Sequence, residues 1–150
     1  MSVVREPQQL IDHITPNIDG ILWISREHLT ERPWPFNELD YICNGQLTKL
    51  LLQLEAKDLT DKEKEYPQFI STQQFGAPFF ICQIQARDEK KTLDALKQIL
   101  EIQLPHLSSN GGTVLLVDTT KGPFEQKLKK AFSGIEFKGL KTEELKFWAT

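Results

Sequence analysis

Two short, almost uninterrupted apolar segments constrain the fold of this chain more than any other feature. They are Phe79-Phe-Ile-Cys-Gln-Ile84 and Thr113-Val-Leu-Leu-Val117. A strand that is apolar on both faces is typical of the interior of a sheet covered on both sides. Both segments are far shorter than the ~20 apolar residues that cross a bilayer. We therefore expect two interior strands, side by side, with helices above and below them, and no membrane-spanning helix.

Strand and helix patterns alternate around these two segments. We expect further strands at residues 20–25, 68–72, 135–138 and 145–148, and helices at 8–14, 37–57, 88–104 and 124–132. This alternation is typical of a sheet with helices on both faces. The sequence predicts an α/β fold, a three-layer α/β/α sandwich with a mixed, largely parallel sheet.

The helix predicted at residues 37–57 has the clearest pattern. Asn37 is a favourable first residue, Asp40 supplies an acid in the first turn, and leucines follow at helical spacing. Gly45 falls inside this pattern, where glycine costs about 1 kcal/mol relative to alanine. We expect Gly45 to permit close packing against a neighbouring element.

Length and charge narrow the class of protein. A chain of 150 residues suits a single domain, residues 1–150. Its net charge of −3 disfavours nucleic acid as a partner.

The N-terminus lacks the pattern of a secretory signal, and Cys43 and Cys82 lie in apolar surroundings typical of buried, reduced thiols. We expect a cytoplasmic protein.

Candidate catalytic residues are scattered along the chain. His13, His28 and His106 have no partner at metal-ligand spacing, so we expect no metal, and no motif indicates a cofactor. His28 follows the first predicted strand and could act in acid–base chemistry, but a surface histidine is the favoured interpretation. An enzyme built on His28, Asp118 and Lys121 ranks last among the possible functions.

The segment after the strand at 113–117 has the geometry of a ligand site. It joins the carboxyl end of a buried strand to a helix that Pro123 opens, a place where α/β sheets bind ligands and helix N–H groups meet anions. A phosphate or carboxylate could be held by Asp118, Thr119, Thr120, Lys121 and Gly122. The alternative is an ordinary connection, since the segment matches no phosphate-binding motif.

Arg32-Pro-Trp-Pro-Phe36 is the second conspicuous segment. Trp34 and Phe36, held by two prolines, could anchor a protein partner. The favoured alternative is that both rings fold back over the helix that follows.

Leu39-Asp-Tyr-Ile-Cys-Asn-Gly-Gln-Leu-Thr-Lys-Leu-Leu51 resembles the N-terminal domain of the leucyl (cytosol) aminopeptidase family. In that family a Leu-Asp pair opens a helix in which a small residue and further leucines follow. The resemblance covers about residues 20–120 and implies a macro-like α/β/α fold used for oligomer contacts. The family's metal site and catalytic residues lie in a C-terminal domain that this chain does not contain, so the resemblance does not imply peptidase activity.

The sequence thus favours a non-catalytic domain that acts through protein association, with itself or with a larger enzyme. This hypothesis predicts an exposed apolar patch near Trp34 and Phe36 or near Phe147 and Trp148. The alternative is a module that binds a nucleotide or another anion at residues 118–123.

Overall fold

A computed structural model describes residues 14–15, 17–64, 66–74, 76–103, 105, 112–120 and 123–140. The strand predicted at residues 145–148 and most of the helix predicted at 8–14 lie outside these ranges. The strands are β1 (Ile18–Ser25), β2 (Gln68–Gln74), β3 (Ala77–Gln85), β4 (Thr113–Asp118) and β5 (Glu136–Leu140). The helices are α1 (Phe36–Ile42), α2 (Gln46–Glu55), α3 (Asp61–Lys64), α4 (Glu89–Gln103) and α5 (Phe124–Ala131), with a 3-10 turn at Leu29–Glu31.

The five strands form one sheet in the order β2-β3-β1-β4-β5. β1 pairs in parallel with β3 and with β4, β5 pairs in parallel with β4, and β2 is antiparallel to β3. The sheet is therefore mixed and largely parallel, which confirms the predicted class.

β1 is the central strand, and this corrects one expectation. The two apolar segments predicted to lie side by side are β3 and β4, and β1 separates them. The physical reason is that β1 is also apolar on both faces, because Ile21, Leu22, Trp23 and Ile24 are all fully buried. Three covered strands, rather than two, form the interior of the sheet.

The two faces of the sheet carry two separate apolar cores, which makes the three layers. Successive residues of a strand point to opposite faces, so Ile21 and Trp23 face one core and Leu22 and Ile24 the other. The first core packs α1 and α2 on the sheet, with Phe36, Leu39, Ile42, Leu47, Leu51, Leu54, Phe79, Ile81, Leu115 and Val117 among its members. The second packs α4 and α5, with Phe80, Cys82, Ile84, Leu96, Leu100, Val114, Leu116, Phe124, Leu128 and Phe137.

The single helix predicted at residues 37–57 is wrong: the structure has two helices with a turn between them. Asn44 and Gly45 have positive φ angles of 56° and 83°, a conformation that ends a helix and that glycine adopts without strain. Gly45 serves this turn and not close packing, since a Cβ there would contact nothing within 4 Å. The Asp40 carboxylate crosses the turn and accepts hydrogen bonds from the backbone N (2.9 Å) and Oγ1 (2.5 Å) of Thr48, in the first turn of α2.

Gly20 in β1 allows the Phe80 ring of β3 to lie close to the β1 backbone, and Phe80 in turn contacts the edge strand β2. A Cβ at Gly20 would lie 2.2 Å from ring atoms of Phe80 in β3. The Phe80 ring stacks on Phe69 of β2, with ring centroids 5.8 Å apart and an interplanar angle of 11°. The absence of a side chain at Gly20 therefore fixes where both rings lie.

Candidate functional site

The predicted ligand segment begins at the carboxyl end of β4 and is folded by its own hydrogen bonds. The backbone N and the Oγ1 of Thr119 donate to the carbonyl of Ile24 in β1, over 3.0 and 3.2 Å. The backbone N and the Oγ1 of Thr120 donate to Oδ1 of Asp118, over 2.8 and 2.5 Å. The N–H groups of Thr119 and Thr120 are thus already engaged within the protein.

The charges around this segment are mixed, since Asp118 and Glu125 are acidic and Arg26 Nη2 donates a hydrogen bond to the carbonyl of Thr120 (3.5 Å). Burial raises the pKa of the Asp118 carboxyl and Glu125 raises it further, while the hydrogen bonds from Thr120 oppose the rise. Lys121 and Gly122, the other residues of the predicted site, lie outside the described residues.

His28 is buried, and the interpretation as a surface histidine is wrong. Its side chain is only 2% exposed. Nδ1 accepts a hydrogen bond from the backbone N of Thr30 (3.2 Å), and the Glu31 carboxylate accepts one from the backbone N of His28 (2.9 Å), which together cap the 3-10 turn. Burial lowers the pKa of His28; Lys64 and Arg87 lower it further, and Glu31 opposes them. His28 is therefore a neutral residue that shapes the loop after β1.

His28 and Asp118 lie in different electrostatic surroundings. The charges acting on His28 are those of Lys64, Glu31 and Arg87, whereas Glu125 acts on Asp118. Neither residue is among the groups that shift the pKa of the other.

A buried polar cluster between β1 and β3 was missed by the sequence analysis. Gln83 Nε2 donates to Ser25 Oγ (2.8 Å) and to the carbonyl of Glu27 (3.3 Å), and Ser25 Oγ donates to the same carbonyl (2.7 Å). The available signal was Gln83 itself, a single amide inside an apolar strand, which requires buried partners. The cluster holds the loop after β1 in place.

The Arg32–Phe36 segment packs onto the protein. Phe36 is 3% exposed and belongs to the first core, and Trp34 is half-buried against the same core. The Trp34 carbonyl accepts a hydrogen bond from Nε1 of Trp23 in β1 (3.3 Å). Phe36 is therefore no part of an exposed apolar patch, and Phe147 and Trp148 lie outside the described residues.

Both cysteines are buried free thiols, as the sequence predicts. Burial raises the pKa of Cys43 and raises that of Cys82 to about 12. A thiol that stays protonated is a poor nucleophile, so both residues serve packing.

The outer side of β2 differs from the rest of the described surface, and we call it the open β2 edge. Its sequence, Gln68-Phe-Ile-Ser-Thr-Gln-Gln74, has no charged residue and no proline, and no described strand pairs with this side. Natural edge strands are usually protected by charges, prolines or short length. β5 is such an edge, with five residues that include the exposed Glu136 and Lys138. The open β2 edge has none of these protections.

The hairpin register indicates which backbone groups face the open β2 edge. Gln73 lies opposite Pro78, and proline has no N–H to donate. Pairs in an antiparallel ladder alternate between hydrogen-bonded and non-hydrogen-bonded, so Gln73, Ser71 and Phe69 all belong to the second kind. Their N–H and C=O groups point away from β3. The side chains of the same three residues are exposed, and Phe69 is 39% exposed.

A cleft of about 760 Å³ adjoins one end of this edge. Gln74 Nε2 donates to the carbonyl of Ile42 at the end of α1 (2.8 Å), which joins the hairpin to the helix beside the cleft. The cleft is lined by Ile14, Asn37, Asp40, Tyr41, Ile42, Asn44, Gly45, Gln73 and Gln74.

Comparison of the chain with protein-family models, with curated proteins and with solved structures finds no match. Within the described ranges, no helix is both long and apolar enough to cross a membrane. The same ranges contain no cluster of three His, Cys, Asp or Glu residues suited to a metal ion.

Proposed function

We propose that this chain is a non-catalytic α/β domain that works through protein association, and that its binding surface is the open β2 edge. The observation that carries the proposal is an uncharged seven-residue edge strand that no described strand covers. An extended segment of a partner adds to such an edge as a further strand, with main-chain hydrogen bonds as the basis of affinity.

The chemistry of the edge supports strand addition. Phe69, Ser71 and Gln73 direct backbone donors and acceptors outward, and each hydrogen bond made there contributes about 0.5–1.5 kcal/mol net. Phe69 on this edge and Tyr66, two residues before β2, have exposed aromatic side chains that supply apolar area to bury. Aromatic side chains of this kind are enriched at protein interfaces.

The groups considered for catalysis have structural contacts that support a non-catalytic domain. His28 caps a turn, Asp118 organises its own loop through Thr120, and the two thiols pack in the cores. Free, buried cysteines are also in keeping with the cytoplasm as the place of action.

Peptide selection tests the proposal without a known partner. A random peptide library is selected against the wild-type protein and against Ser71→Pro, which removes one outward N–H; Ser71→Thr, which keeps it, is the matched control. We expect extended peptides to bind the wild-type protein and Ser71→Thr but not Ser71→Pro. Amide hydrogen exchange should show that the N–H groups of Phe69, Ser71 and Gln73 become protected when peptide binds.

Two outcomes would count against the edge as the binding surface. In one, the selected peptides bind Ser71→Pro with the same affinity as the wild-type protein. The other is new protection confined to the carboxyl ends of β1 and β4, which would favour the alternative function, a small-ligand module at residues 118–123. A thermal shift with nucleotides and phosphate esters measures that alternative directly, because a ligand at ~100 times its dissociation constant stabilises a protein by about 2.7 kcal/mol.

A further inference from the structure

We infer that the partner at the open β2 edge is a second copy of this chain, whose β2 pairs antiparallel about a two-fold axis at Ser71. This inference rests on the proposed function and names the occupant of the same surface. Three properties of β2 support a second copy: the direction of its backbone groups, its lack of charge and the position of its exposed ring.

The backbone groups of β2 match themselves under a two-fold rotation. With Ser71 opposite Ser71 of the second copy, Phe69 lies opposite Gln73 and Gln73 opposite Phe69. All three are residues whose N–H and C=O groups point to the open edge. An antiparallel pair of this kind exchanges two hydrogen bonds at each such position. In this register every outward-facing N–H and C=O group of Phe69, Ser71 and Gln73 therefore has a hydrogen-bond partner.

The side chains of β2 permit this pairing because none is charged. In a two-fold interface the same patch meets itself, and any charge near the axis faces an identical charge. β2 meets its copy with serine on the axis and with Phe69 beside an uncharged amide. Adding a strand to β5 would instead desolvate Glu136 and Lys138.

The position of Phe69 favours a symmetric partner. Its ring already stacks on Phe80 of its own chain, so it is held in place before association. A second copy would bring an equally ordered Phe69 to the other side of the axis. The result is one continuous sheet through both copies, with the two hairpins at its centre.

A charge-swap experiment at the axis tests this inference. Ser71→Lys and Ser71→Glu each place two like charges face to face, which we expect to weaken the dimer by about a hundredfold or more. Mixed in equal amounts, the two variants should form a heterodimer with one copy of each, detected by native mass spectrometry and sedimentation velocity. Circular dichroism of each variant shows that its fold is intact.

The controls separate the axis from other surfaces. Ser71→Thr keeps both the N–H group and the neutral charge and should dimerise as wild type does. Gln53→Lys adds the same charge at an exposed position of α2 and should also leave the dimer unchanged.

Each outcome decides for or against the inference. A wild-type dimer that resists Ser71→Lys and Ser71→Glu, or a mixture that gives no heterodimer, overturns it. A wild-type protein that stays monomeric at every concentration also overturns it. If a monomeric wild type still selects peptides that Ser71→Pro rejects, the proposed function stands and only the choice of a second copy fails. If it selects none, both are wrong.

Discussion

The carboxyl end of the sheet and the open β2 edge show opposite uses of polar groups. At the carboxyl end, Thr119, Thr120 and Asp118 satisfy one another and the β1 backbone through hydrogen bonds. At the β2 edge, three residues present backbone groups that no described strand meets. The first region has the composition of a ligand site, but the N–H groups of Thr119 and Thr120 are engaged within the protein. The second has an ordinary composition, and its unpaired backbone groups make it the better candidate for binding.

Proline substitutions at neighbouring positions of β2 give the largest expected contrast. Thr72→Pro removes an N–H that faces β3 and leaves a buried acceptor without its donor, so we expect a loss of about 1–3 kcal/mol in the free energy of unfolding. Ser71→Pro removes an N–H that faces outward, and we expect association to be lost with little change in stability. Urea unfolding and sedimentation velocity measure the two effects. Equal destabilisation by both variants would show that the assigned backbone directions are wrong.

A methyl group at Gly20 should disturb the open β2 edge from the centre of the sheet. Gly20→Ala forces the Phe80 ring away from β1 and disrupts its stacking on Phe69. Overpacking of this kind costs about 1–3 kcal/mol, measured by urea unfolding. Gly134→Ala is the control, since a Cβ there contacts nothing within 4 Å. A fully stable Gly20→Ala protein would contradict the packing described.

Removing one hydroxyl tests whether the loop after β4 is structural. Thr120→Val deletes the hydrogen bond from Oγ1 to Asp118, so we expect about 1 kcal/mol less stability and a further rise in the pKa of Asp118. Urea unfolding and an NMR titration of the carboxyl group measure these changes. Ser133→Ala, at an exposed turn after α5, is the control and should be neutral. An unchanged pKa would show that the hydroxyl does not serve Asp118.

The pH dependence of stability should be the smallest effect, and His28 and Asp118 give it opposite signs. The pKa of His28 in the folded protein lies below its ordinary value of 6.5, so the unfolded chain takes up the proton first and stability falls as pH drops below 6.5. The pKa of Asp118 lies above its ordinary value of 3.8, so its contribution to stability is present below pH 3.8 and is lost as pH rises through the folded pKa.

Variants separate these two contributions in urea unfolding at a series of pH values. His28→Gln should remove the loss of stability below pH 6.5, and Asp118→Asn should remove the loss that begins above pH 3.8. If His28→Gln leaves the profile unchanged, the imidazole is not buried as described.

Local pattern was sufficient to predict the five described strands and the layers, but the single helix predicted at residues 37–57 was wrong. The apolar segments at β1, β3 and β4 are short and bounded by turn residues, which favours strands covered on both faces over helices. The turn at Asn44–Gly45 interrupts the predicted helix although leucines recur on both sides of it. The Asn-Gly dipeptide, a common turn signal, was the available evidence.

The candidate site was harder to predict than the fold. The burial of His28 depends on packing at the start of the 3-10 turn, with Lys64 and Arg87, which are remote in sequence, close by. The burial of Phe36 depends on the centre of the sheet, where its ring lies 6.4 Å from that of Trp23. The β2 edge is open because β2 lies at the end of the strand order. That order is determined by the crossover connections and not by the residues of β2 itself.

Gln73 belongs to two surfaces at once, since its backbone faces the open β2 edge and the residue is also part of the lining of the 760 Å³ cleft. A molecule lodged in the cleft and a strand added along β2 would therefore touch the same residue. Crowding at Gln73 would make binding at one surface oppose binding at the other, whereas mutual ordering of this residue would make each favour the other. In either case a ligand in the cleft would change the affinity of the open β2 edge for a strand, and an added strand would change the affinity of the cleft, because both contact Gln73 near the tip of the hairpin.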